Sequence, residues 1–222
     1  LDVCDVRTLS AAARERGAIV AVDNTFSTPL GQRPLELGAD LSVTSATKYL
    51  AGHSDLLLGY AAARDGELAD RLRDWRTETG AIAGPFETWL AHRSLATLDL
   101  RLERGCANAL ALAELLAGRD DVAGVRYPGL PGDPAHELAN RQMSRSGTVV
   151  SFDLGNRESA ERFLDAAKLV TEATSLGGVH TVAERRARWG GDQVTEGFIR
   201  LSAGCEDPAD LVEDVERALD AA

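Results

Sequence analysis

The chain has 222 residues, 44% hydrophobic by the broad count and 27% charged, a globular composition rather than that of a disordered or fibrous chain. Lys and Arg total 24 against 35 Asp and Glu, and the formal net charge of −11 repels phosphate backbones and anionic lipid, so neither nucleic acid nor a membrane is expected as a partner. No apolar run reaches the roughly 18 residues of a membrane span, no secretory signal opens the chain, and Cys4, Cys106 and Cys205 form no CxxC pair, so a cytoplasmic protein without disulfides is expected.

The chain opens at Leu1 without an initiator Met, and its first residues already read as a connection entering a helix, so a fragment lacking an N-terminal part is expected. Apolar residues at Val6, Leu9 and Ala13 predict a helix from Val6 to Arg16 that stops at Gly17. The continuous run Ala18–Val22 predicts a strand buried on both faces of a parallel sheet, with Asp23 at its carboxyl end. A short helical turn over Leu35–Ala39 and a second strand over Asp40–Ser45 give an α/β reading. Leu56–Ala63 reads as a third strand, antiparallel to its neighbour because the loop before it is too short for a helical crossover. Two helical stretches follow between Asp65 and Leu102, the second opening at Pro85. Leu102–Leu116 is strongly helical despite Gly105, and a second unit is placed to start there, giving domains at 1–104 and 105–222. Strand-like Val122–Tyr127, Gly147–Leu154 and Phe198–Ser202 alternate with helix-like Glu158–Ala167 and Pro208–Leu219, which predicts a small α+β domain.

The densest cluster of chemistry-bearing residues runs from Thr44 to Asp55 and holds Lys48, one of two lysines, the other being Lys168. A lysine is most often a solvated surface charge. Lys48, however, follows a sheet strand, between hydroxyl residues and a Gly-His-Ser loop, at the edge where open α/β sheets bind ligands. A partly desolvated amine there can form a Schiff base with an aldehyde cofactor, and Ser45 and Thr47 offer hydroxyls to a phosphate. Asp23 closes an apolar strand and suits either a protonated pyridine nitrogen or the cap of a turn through Asn24 and Thr25. An Asp and a Lys at two strand ends, 25 residues apart, match a pyridoxal phosphate (PLP) site. His53, Ser54 and Asp55 are too close in sequence to converge as a hydrolase triad. His92, His136 and His180 lack metal-ligand spacing, and no dinucleotide or P-loop motif occurs, so no metal site is expected.

Val22–Pro29 (VDNTFSTP), Ser45–Asp55 (SATKYLAGHSD), Ser175–Gly178 (SLGG) and Ile199–Asp207 (IRLSAGCED), in that order, resemble four signature stretches of the cystathionine γ-lyase and γ-synthase family, PLP-dependent enzymes of Cys/Met metabolism. The resemblance spans nearly the whole chain. It implies a fold-type I PLP-dependent transferase-like architecture, with the end of a large, mainly parallel α/β domain followed by a small α+β domain. It further implies that Lys48 holds the cofactor, that Asp23, Thr25, Ser45 and Thr47 bind it, and that Arg200, Ser175 and Thr181 face the substrate. A homotetramer with shared active sites and cleavage of cystathionine to cysteine, 2-oxobutanoate and ammonia are implied as well, with γ-synthase and methionine γ-lyase chemistry as alternatives. A catalytically silent assembly fragment is the alternative of another class. Relatives carry an acidic residue and Ser after the Gly-Gly pair where this chain has His180 and Thr181, and the segment Arg185–Trp189 is expected to be a solvated turn.

Overall fold

A computed structural model of the chain describes residues 2–222. Helix α1 (Val6–Arg14) is capped by the Asp5 side chain, which accepts from Thr8 N, and leads through Gly17 into strand β1 (Ala21–Asp23). After a four-residue helix, α2 (Thr28–Gly31), strand β2 (Leu41–Ser45) returns parallel to β1, and β3 (Gly59–Ala63) pairs antiparallel with β2. Helices α3 (Gly66–Thr79) and α4 (Pro85–Leu95) follow, and the 20-residue α5 (Leu98–Ala117) leads into the rest of the chain.

The remainder is built on a five-stranded sheet in the order β4-β5-β8-β7-β6, from β4 (Ala123–Arg126), β5 (Val149–Asp153), β6 (Thr171–Glu172), β7 (Val182–Arg185) and β8 (Phe198–Ser202). Helices α6 (His136–Gln142), α7 (Arg157–Ala166) and α8 (Pro208–Asp220) complete it. Its core joins β5 and β8 to α5, α7 and α8 through fully buried Phe152, Phe163, Ile199, Leu201, Leu211 and Val215. Phe152 meets Phe163 edge to face, ring centroids 5.6 Å apart. The first turns of α5 belong elsewhere: Leu98 and Leu102 pack with Ala46, Tyr49, Leu50 and Leu176. One helix therefore seats its two halves in two cores.

The expected third strand and its antiparallel direction are present, shortened to Gly59–Ala63. The expected burial of the first strand on both faces is not. β1 is three residues long, Ala21 and Asp23 are exposed and Ile19 is 57% exposed, because β1 pairs with β2 alone among the described strands and its other side opens on an apolar cavity of about 460 Å³. Strands β6 and β7 and helix α6 were not anticipated.

Candidate active site

Strands β1 and β2 run parallel and end at the same edge, with Asp23 level with Val43. The Asn24 N–H continues the ladder by donating to the Val43 carbonyl at 2.8 Å. Thr25 then joins the two strand ends. Its hydroxyl donates to Asp23 Oδ1 at 2.6 Å and accepts from the Ser45 N–H at 2.8 Å. Thr25 N also donates to Asp23 Oδ1, at 3.0 Å, so this oxygen caps the turn, while Oδ2 has no hydrogen-bond partner among the described residues. The turn role and an outward-facing charge coexist on one carboxylate. Thr25 is thus spent on orienting Asp23 and Ser45.

Lys48 lies on the tight turn after β2. Its base is closed by Thr47, whose hydroxyl accepts from Leu58 N at 2.9 Å and donates to the Leu58 carbonyl at 3.2 Å. Its far end is held by Arg101 of α5, which donates to the carbonyls of Tyr49 at 2.7 Å and Leu50 at 3.1 Å. That guanidinium takes main-chain carbonyls rather than a carboxylate, and burial lowers its pKa. Gly52 closes the turn at φ +72°, with its Cα facing Arg101 so closely that a Cβ would stand 2.1 Å from Nη1.

The loop after β6 covers this turn. Gly177, at φ +75°, lies flat on Tyr49, where a Cβ would come within 2.9 Å of the ring. Its N–H donates to Ser202 Oγ at 3.0 Å, and Val179 N donates to the Gly52 carbonyl at 2.9 Å. Tyr49 is buried, shares a 2.9 Å hydrogen bond with Thr148 Oγ1, and has its phenol pushed up to about 12 by burial. Loop and turn together bring Lys48 Nζ to donate to Ser175 Oγ at 3.2 Å, at the wall of a cleft of about 740 Å³ that Ser54, Asp55 and Glu87 also line. Arg200 of β8 completes the row: its Nη2 donates to the carbonyl of Thr174 and, at 3.5 Å, to that of Ser175. The guanidinium is half-buried, and burial followed by the nearby Arg186 lowers its pKa against the opposing pull of Glu184.

Of the residues singled out from the sequence, Lys48, Ser175 and Arg200 are brought together, and Asp23, Thr25 and Ser45 form a second connected group beside them. Two are placed otherwise. Thr181 is fully buried: its N–H and hydroxyl both donate to the Glu206 carboxylate, at 2.6 and 2.7 Å, and its oxygen accepts from Gly204 N, so it shapes the loop instead of facing the cleft. The Thr47 hydroxyl is turned to Leu58, whereas Ser45 Oγ makes no hydrogen bond among the described residues. The acid that Arg200 meets is Glu184, 3.3 Å away. The segment Arg185–Trp189 is only in part the solvated turn expected: Arg188 and Trp189 are exposed, Trp189 to 56%. Arg185 is buried, and Arg186 and Trp189 both donate to the fully buried Glu184, because a carboxylate out of water must meet cations and donors.

The amine and carboxylate present fit an aldehyde-bearing pyridine: an amine whose one hydrogen bond is to a serine, a carboxylate with one unengaged oxygen, and a main-chain and hydroxyl segment between them. Among the described residues no helix is long and apolar enough to cross a membrane.

A sequence profile of the family described as Cys/Met metabolism PLP-dependent enzyme matches residues 1–220. A Streptomyces coelicolor protein provisionally named a cystathionine γ-lyase is 63% identical over 99% of this chain and 56% of its own length. The L-methionine γ-lyase of Pseudomonas putida is 42% identical over 100% of this chain and 58% of its own. Among solved structures, CalE6 of Micromonospora echinospora superposes with a TM-score of 0.95 at 45% identity, over 100% of this chain and 61% of its own, where it is described as a cystathionine γ-lyase. The apo form of CalE6, described as a methionine γ-lyase, gives a TM-score of 0.93 at 48% identity over 99% of this chain and 60% of its own. The chain thus spans under two thirds of the length of these relatives, and its α/β architecture is of the fold-type I class that these structures share.

Proposed function

Because the chain belongs to the Cys/Met metabolism PLP-dependent enzyme family, we propose that the protein is a carbon–sulfur lyase of sulfur amino-acid metabolism that cleaves cystathionine to cysteine, 2-oxobutanoate and ammonia. The observation that carries the reading is the row Lys48–Ser175–Arg200: across 127 residues of sequence the lysine amine donates to the Ser175 hydroxyl at the wall of one cleft, and the half-buried arginine donates to the Ser175 carbonyl at 3.5 Å. When bound, PLP supplies an electron sink for the electron pair left behind as the α-proton departs.

The residues of this chain do the rest. Lys48 Nζ would hold the cofactor through its aldehyde, and the free amine is the group placed to take the α-proton. Ser175 Oγ accepts from that amine and sets its direction. Asp23 Oδ2 would hold the protonated ring nitrogen, and Thr25 fixes the orientation of the carboxylate through Oδ1. Ser45 takes the phosphate. Arg200 receives the substrate α-carboxylate, a pairing its planar fork favours over any lysine.

Large apolar side chains stand exposed on and beside α3 and α4, among them Trp75, Ile82, Phe86 and Trp89, with Phe86 stacked on Trp89 at 6.2 Å. A second copy of the protein covers this face in the homo-oligomer that the reading entails. The deciding assay supplies cystathionine, methionine, and O-succinylhomoserine with cysteine in turn to the full-length protein. Cleavage of cystathionine in preference to the others is expected. Preference for methionine or for γ-replacement would move the assignment to another reaction on the same residues, and absence of cofactor binding would leave a silent assembly role.

A further inference from the structure

Glu184 has no exposed surface and lies on a strand of the five-stranded sheet. It stands on β7 directly opposite Arg200 in the antiparallel pairing with β8. A carboxylate removed from water is costly unless cations and donors surround it, and here they do. Oε2 accepts from Arg186 Nη1 at 2.7 Å and from Arg200 Nη2 at 3.3 Å, and Oε1 accepts from the Trp189 indole. The two arginines differ in one respect. Arg186 has a second acid, Asp192, whose Oδ2 accepts from Nε at 2.7 Å, whereas Glu184 is the one carboxylate that Arg200 meets among the described residues. The other contacts of Arg200 are the carbonyls of Thr174 and Ser175, all taken by Nη2. Glu184 and these carbonyls therefore hold one nitrogen and leave Nε and Nη1 unengaged.

We propose that Glu184 is the positioning residue of Arg200, holding Nη2 from behind so that the remaining donors face the carboxylate of an amino-acid substrate. The proposal rests on the reading of Arg200 as the carboxylate-binding arginine. Arg186 and Trp189 share the charge of Glu184, so the carboxylate orients Arg200 without cancelling its attraction for an incoming anion. Removing Glu184 leaves Arg186 and Arg200 facing each other as like charges, and the guanidinium turns away from its place. The buried acid and the loop of Arg186 to Trp189 thus form one support behind the substrate site.

The test uses the full-length protein with its cofactor and two ligand classes, an amino-acid substrate and the amine obtained by removing its carboxyl group. Binding of each is followed by the visible absorbance of the cofactor, alongside kcat, KM and melting temperature. Glu184→Gln is expected to weaken the amino acid about tenfold or more, as loss of a charge-assisted contact does, while the amine binds as before and kcat changes little. Glu184→Asp restores part of the difference. Arg186→Met, which leaves Arg200 as the one cation on Glu184 beside the Trp189 indole, also shifts the amino acid and not the amine, and serves if the glutamine variant fails to fold. Equal effects on both ligands, no effect on either, or tighter amino-acid binding in both variants would overturn the proposal. If Arg200→Lys itself weakens amino acid and amine alike, the carboxylate reading of Arg200 fails. If Arg200→Lys discriminates between them while the Glu184 and Arg186 variants do not, only the positioning role fails.

Discussion

Lys48 and Asp23 divide the chemistry between an amine and an acid, and each makes a prediction that separates it from its bland alternative. Lys48→Ala in the full-length protein should abolish the borohydride-trappable cofactor adduct and nearly all turnover. Trapping on Lys168, the other lysine, would refute the assignment. Asp23→Asn is a sharper test, because the turn uses only Oδ1: an asparagine oxygen still accepts from Thr25 N and Oγ1, so the fold survives while the charge disappears. Turnover should fall by about 100-fold or more with the melting temperature nearly unchanged. Unaltered turnover would leave Asp23 as a turn residue alone.

At the scale of elements, the short segment after α7 is tied to α8 by one buried carboxylate. Asp214 accepts from the main-chain N–H groups of Lys168 at 3.0 Å and Leu169 at 2.8 Å, and from Arg217. Burial alone would raise its pKa, but these donors outweigh burial and hold it below the ordinary 3.8. A depressed folded-state pKa contributes stability above the unfolded value and loses it as pH falls through the folded one. Asp214→Asn should therefore cost about 2 kcal/mol at neutral pH, and in thermal melts the gap to the parent protein should start to narrow as pH falls below 3.8 and close only once pH has passed the lower folded-state value. A gap that persists in acid would assign the loss to packing instead.

Elements with strong local signals were legible in the sequence: the helix from Val6, which ends at Arg14 instead of the expected Arg16, the second strand before Lys48, the antiparallel return within Leu56–Ala63 and the terminal helix from Pro208. Those whose character depends on partners far along the chain were not. Val182–Arg185 alternates too briefly to announce a strand, and it becomes one because β8 pairs with it. Arg185 and Arg186 read as surface residues because nothing local reveals that Glu184 beside them is buried. The site shows the same division. Lys48, Asp23 and Arg200 stand in recognisable stretches, whereas Arg101 acts on Lys48 through carbonyls 51 and 52 residues away and carries no motif of its own. Thr181 sits in a recognisable stretch, yet its hydroxyl is claimed by Glu206, a partner that spacing does not disclose.

The molecule as a whole leaves an apolar face on α3 and α4 that a lone chain would hold in water. Sedimentation of the full-length protein should report a homo-oligomer, and Trp89→Glu, which places a charge on that face without touching Lys48 or Arg200, should shift it toward smaller species. An unchanged sedimentation coefficient would place the contact elsewhere.

Helix α5 has a consequence for how the two cores can be recombined. Its early residues Leu98 and Leu102 lie in the cluster under the Lys48 turn, and Leu112 and Leu116 lie in the core of the five-stranded sheet, so the junction near 104/105 is a rigid rod with no linker in it. Chimeras of two relatives spliced there inherit a fixed rotation of 100° per residue between the halves, set by 3.6 residues per turn. A donor half carrying a single inserted or deleted residue at the splice would swing its whole core around the axis, and Ser175 with Arg200 would be carried away from Lys48. Crossovers that conserve helix length should yield active hybrids, and those that change it by one residue should yield folded halves that no longer meet.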